Sequence, residues 1–156
     1  MTTTSDSWNL AARAAAPERF SALPSASLRS SAASGRAAAL SDRIDRSLLA
    51  LHSLPGLDAR AIARSLGVSL AAVRVAHWMH RRCSIRSALA RTRVDTAHRY
   101  LHAEASNLPQ PLLMSRAAEV AGFPSIDAMD RAFLRYRHRS SYDVMLTSRA
   151  VRRGAA

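Results

Sequence analysis

Apolar positions fall into helical spacing from about residue 42 onward. Between Asp42 and Leu54, Ile44, Leu48, Leu49 and Leu51 recur at near-helical intervals, and Pro55-Gly56 stops the run. Ile62 and Leu66 share a face of a short helix over Ala59 to Leu66, for which Asp58 is a suitable N-cap. Ser69 opens a third helix to about Arg82. Ser84 opens a long one to about Ala105, with Ile85, Leu89, Ala97 and Leu101 as an interrupted stripe flanked by Arg86, Arg91, Arg93 and Arg99. The stretch Ser106-Asn107-Leu108-Pro109-Gln110-Pro111 reads as a loop. Leu112, Leu113 and Met114 then lead into another short helix. Ser125 caps a helix from Ile126 to about Arg137 with Met129 and Phe133 inward, and Ser140 or Ser141 opens a last helix carrying Val144, Met145 and Leu146. Few glycines, few β-branched runs and abundant Ala, Leu and Arg predict an all-α fold.

The first 39 residues differ in kind. Ala, Ser and Thr dominate them, Pro17 and Pro24 interrupt any long helix, and little apolar surface offsets the entropy of ordering. A disordered tail over 1–39 and a domain over 40–152 are expected. An Arg-rich, acid-poor leader also has the composition of a transit peptide, but a secretory signal would need a continuous apolar stretch. The tail is too short for a ligand-sensing domain.

Within the domain, Ala61-Ile62-Ala63-Arg64-Ser65-Leu66-Gly67-Val68-Ser69 ends one helix, turns on a glycine and caps the next, which is the pattern of a helix-turn-helix. Arg116-Ala117-Ala118-Glu119-Val120-Ala121-Gly122-Phe123-Pro124-Ser125 repeats it 55 residues later, with the cap one residue further on. The expected units are therefore a first helix-turn-helix over about 42–82, a linking helix over about 84–105 and a second unit over about 112–146.

Charge then narrows the partner. The net charge is +12, and all 23 basic residues are arginines. Setting aside Arg13, Arg19, Arg29 and Arg36 with Asp6 and Glu18 leaves 19 basic and 9 acidic residues from Leu40 onward. An anionic partner follows, and nucleic acid fits better than a membrane, since no apolar run approaches the ~18 residues needed to span one. The single Cys83 excludes an intrachain disulfide framework and suits a reducing compartment. No Ser-His-Asp order, glycine-rich phosphate loop or paired carboxylates point to an enzyme. His77-x-x-His80-x-x-Cys83 has metal-binding residue types at helical spacing, but no fourth ligand is evident, so neither metal nor cofactor is expected. His98 and His102 read as surface residues.

From about Ser41 to Leu146 the chain resembles the DNA-binding domain of AraC/XylS-type regulators. The resemblance rests on Ala63-Arg64-Ser65-Leu66-Gly67-Val68-Ser69, on Leu89, Arg93, Ala97 and Leu101, and on Gly122-Phe123-Pro124-Ser125 followed by Met129, Arg131, Ala132 and Phe133. The chain departs from the family pattern at His77 and Met129, where aromatics are usual, at Arg82 and His138, where glycines are usual, and at Ile85 and Ser141, where prolines are usual. The resemblance implies seven helices, with the third and sixth entering successive major grooves about one turn apart. It implies base-edge contacts from Ala71, Arg74 and Val75 in the first unit and from Ile126, Asp127, Ala128, Asp130 and Arg131 in the second. Arg74 can pair with guanine O6 and N7, whereas Asp127 and Asp130 can accept only from cytosine N4. Arg81, Arg82, Arg135, Arg137 and Arg139, near helix ends, are the phosphate contacts implied.

The third helix is also apolar on its outer side through Val75, Trp78 and Met79. Trp78 is expected to turn inward, filling space beside His77; the competing reading makes the three residues a partner surface. The function expected is a cytoplasmic, nucleoid-associated bacterial transcription regulator binding double-stranded DNA, without a fused sensor domain or small-molecule effector. The alternative is a degenerate helix-turn-helix domain that binds a protein such as RNA polymerase or another regulator and holds DNA only non-specifically.

Overall fold

A computed structural model describes residues 24–154 of the chain. These residues form seven α-helices and no strands: α1 (Pro24–Leu51), α2 (Ala59–Leu66), α3 (Leu70–Arg81), α4 (Ile85–Glu104), α5 (Gln110–Val120), α6 (Ile126–Arg137) and α7 (Ser141–Gly154). The fold is all-α, with two helix-turn-helix units, α2–α3 and α5–α6, joined by α4.

The expected tail divides at Pro24. Residues 1–23 lie outside the described residues, whereas α1 begins 18 positions ahead of Asp42, where the apolar stripe starts. Helix propensity explains the early start: Ala-rich sequence needs no apolar stripe to be helical, and a proline in the first turn forfeits no intrahelical bond. The stripe itself is narrower than expected. Ile44 and Leu48 are buried, but Leu49 is exposed and Leu54 lies beyond the end of the helix.

Five helices, α2, α3, α4, α6 and α7, open on a side-chain cap, whereas α5 starts at Pro109 without one. Asp58, Ser69, Ser84 and Ser125 accept hydrogen bonds from the backbone N–H groups of Ala61, Ala72, Ser87 and Ala128 at 2.7–3.1 Å. At α7 the exchange is reciprocal, with Ser140 Oγ accepting from Asp143 N and Asp143 Oδ2 accepting from Ser140 N. Both glycine turns have the same geometry. Gly67 and Gly122 take φ of 66° and 77°, and the following residues, Val68 and Phe123, donate N–H back to Ala63 and Ala118 across the closing turn.

Two apolar cores result. Ile44, Leu48, Leu57, Ile62, Val73, Ile85 and Leu89 fill the first; Val94, Ala97, Leu101, Leu113, Met114, Met129, Phe133, Val144 and Met145 are among those filling the second. α4 contributes its first half to one and its second half to the other. His98, expected at the surface, is half-buried and stacks against Phe133 at 6.5 Å, because α4 turns this position toward α6.

The units meet at the loop after α1. Arg93 of α4 donates to the His52 carbonyl at 2.8 Å and to the Leu54 carbonyl at 3.0 Å, and partial burial lowers its pKa. Gly122, in the turn of the second unit, lies against the same loop so closely that a Cβ there would stand 2.6 Å from the His52 carbonyl oxygen. A charged fork from one side and bare backbone from the other thus fix where one helix-turn-helix sits relative to the other.

Candidate nucleic-acid interface

The faces of α3 are set by its core contacts. Val73, Ala76 and His77 point inward, which turns Ala71, Arg74, Val75 and Trp78 outward along the opposite side, at i, i+3, i+4 and i+7. The Arg74 guanidinium makes no hydrogen bond or ion pair with another described residue. Trp78 is 56% exposed, alongside Val75 at 56% and Met79 at 52%, so the expected inward turn of Trp78 does not occur. His77 already fills the core-facing slot, one helical turn after Val73, and a residue one position further round cannot share it.

His77 is held among charges. Its Nε2 lies 3.6 Å from Cys83 Sγ and its Nδ1 3.6 Å from Asp45 Oδ1, and burial outweighs the attraction of Asp45 to lower its pKa. His80 is exposed at the helix end and does not join them. Among the described residues no three His, Cys, Asp or Glu side chains stand together in a way that could hold a metal ion.

In α6, Met129 and Phe133 face inward while Asp127, Arg131 and Arg135 are exposed; Ile126 is partly exposed and Ala128 half-buried. Arg131 is free of described partners, as Arg74 is in α3. Asp130 is engaged elsewhere. Its Oδ1 accepts from both the backbone N and Oγ of Ser141 at 2.8 Å, tying α6 to the start of α7. The carboxylate implied by resemblance as a base contact is therefore occupied within the fold.

The five arginines implied as phosphate contacts also separate. Arg81 donates to Asp45 at 2.6 Å and Asp42 at 3.0 Å, binding α3 to α1, and Arg137 donates to Asp95 at 2.6 Å, binding α6 to α4. These pairs are partly exposed, so their strength is modest, but they occupy the guanidiniums. Arg82, Arg135 and Arg139 remain exposed without carboxylate partners among the described residues; Arg135 lies against the Tyr136 ring at 5.7 Å. Arg82 and His138 adopt positive φ, 53° and 55°, as the C-caps of α3 and α6. Both corners are left-handed although neither residue is a glycine.

Residues that sequence reasoning did not single out complete the frame. Arg149 donates to the carbonyls of Ala105 and Leu108, and Arg152 to those of His102 and Ala103, so α7 satisfies the open carbonyl end of α4. A cleft of about 400 Å³ beside Trp78 is lined by Ala59, Arg74, Ser84, Ile85 and Arg86. No described helix is long and apolar enough to cross a membrane.

The sequence matches no family model and no curated protein. Among solved structures, the fold is similar to the C-terminal domain of AraT, a response regulator from Geobacillus stearothermophilus, with a TM-score of 0.62 and 19% identity over 69% of this chain and 84% of that one. At that identity the likeness is one of fold.

Proposed function

We propose that the chain is a transcription regulator of AraC/XylS type that binds duplex DNA by laying α3 and α6 in successive major grooves. The observation that carries the reading is the pair of outward helix faces, each presenting a guanidinium with no described partner, Arg74 on α3 and Arg131 on α6, on two units held in fixed relation by Arg93 and Gly122. The fold likeness to a response regulator's C-terminal domain supports it. Arg74 and Arg131 read bases, with Ala71 and Val75 beside the first and Asp127 beside the second. Arg82, Arg135 and Arg139 contact phosphates and set register without reading sequence. Such a protein works in the cytoplasm on the nucleoid, and its regulation acts through its abundance or a protein partner.

Binding to genomic duplex fragments with random competitor at two salt concentrations tests the reading. Specific fragments should survive competition at the higher salt, because counterion release weakens all duplexes alike while base contacts do not. Arg74→Ala should cost about 1–3 kcal/mol on the preferred site and relax one base pair; Arg135→Ala should weaken every duplex about equally. Equal losses on specific and random duplex for both variants would remove the reading role. The exposed Val75, Trp78 and Met79 favour a second reading, a protein-binding module; it predicts that Trp78→Ala abolishes a protein contact and leaves DNA binding unchanged.

A further inference from the structure

The outward face of α3 carries hydrogen-bond donors and no acceptor. Arg74 offers guanidinium N–H groups and Trp78 one indole N–H, while Ala71, Val75 and Met79 offer only carbon and a thioether. The neighbouring acceptors already serve the fold: Ser69 Oγ accepts from Ala72 N, one oxygen of Asp58 from Ala61 N, and one oxygen each of Asp42 and Asp45 from Arg81. Around the cleft beside Trp78 the other charged side chain is Arg86, again a donor, so the apolar stripe is flanked by positive charge suited to a phosphate backbone.

This inventory selects among bases. Adenine and cytosine each present an amino group to the major groove that only an acceptor can satisfy, and adenine's usual partner, Asn or Gln, supplies donor and acceptor together. Guanine presents two acceptors. Thymine presents one acceptor and the C5-methyl, an apolar group that Val75 and Trp78 could cover. We infer that α3 reads guanine through Arg74 and thymine through its C5-methyl against Val75 and Trp78, so that the strand it touches is a run of keto bases. The inference rests on the DNA-binding reading above and adds to it which bases the first unit takes. It also gives the exposed tryptophan an occupant, the thymine methyl in a phosphate-flanked groove.

The test starts from sites selected out of random duplex by the full chain. The half-site that loses information with Arg74→Ala should contain guanine with thymine beside it on the same strand. Replacing that thymine by deoxyuridine removes one methyl and nothing else, and should weaken binding about fourfold, the worth of one buried methyl-sized group. The same replacement should cost Val75→Ala or Trp78→Ala protein little, because the apolar cover is gone; circular dichroism checks that each variant is folded. A half-site whose guanine has no thymine beside it on the same strand, or equal binding of thymine and deoxyuridine duplexes by the unsubstituted protein, overturns the inference while leaving DNA binding intact. Selection that enriches no sequence overturns the DNA-reading proposal itself and this inference with it.

Discussion

Substituting alanine at the two turn glycines separates conformational strain from steric exclusion. Both Gly67 and Gly122 hold left-handed φ, so a Cβ costs about 1–2 kcal/mol at either from backbone strain alone. Around Gly67 a Cβ would meet nothing within 4 Å, and Gly67→Ala should cost only that. At Gly122 it would stand 2.6 Å from the His52 carbonyl oxygen, 2.7 Å from Ser53 Cα and 2.8 Å from the Ser53 carbonyl oxygen. None is the tip of a flexible side chain, so the loop or the turn must shift, at a further cost of roughly 1–3 kcal/mol. Gly122→Ala should therefore destabilise by about 2–5 kcal/mol, a large share of the 5–15 kcal/mol typical of a folded domain. Urea unfolding followed by far-ultraviolet circular dichroism measures both variants on one scale. Equal losses at the two glycines would refute the close approach of the second turn to the loop.

Further expectations follow from the corners, the histidines and the tryptophan. Arg82→Gly and His138→Gly should each stabilise by about 1 kcal/mol, because glycine relieves the positive φ at both caps; a fall in Tm would show that the side chains make contacts outweighing the strain. His77 and His98 have pKa values lowered chiefly by burial, so the unfolded chain binds protons first as pH drops: stability should be full above about pH 6.5 and decline below it, and His77→Gln should flatten that slope. Trp78→Ala should change stability by less than about 1 kcal/mol. With Trp8 replaced, Trp78 fluorescence should be red-shifted and readily quenched, and blue-shifted emission would place it in the core.

What could be read in advance was what adjacent residues decide. The caps at Asp58, Ser69, Ser84 and Ser125 and the turns at Gly67 and Gly122 are local devices, and the helices fall where they direct. The choice between His77 and Trp78 was not local, since neighbours on a helix compete for one inward slot and only the packed unit settles the winner. Nor was the work of the arginines. Arg81 finds Asp45 across 36 residues, Arg137 finds Asp95 across 42, and Arg93 finds the His52 carbonyl across 41; composition counts all of them as equal charges. The early start of α1 was obscured because the same Ala- and Ser-rich sequence is compatible with disorder and with a helix that has few apolar contacts to make.

The loop pinned by Arg93 and Gly122 sets a tolerance. Backbone resting on backbone has no soft side chain to compress, so the two units cannot slide apart to suit a stretched target. Each base pair added to a duplex advances it by about 3.4 Å and turns it by about 35°. If α3 and α6 read DNA as proposed, the molecule is a caliper of set opening: with one base pair inserted between the half-sites, either helix can seat, but not both.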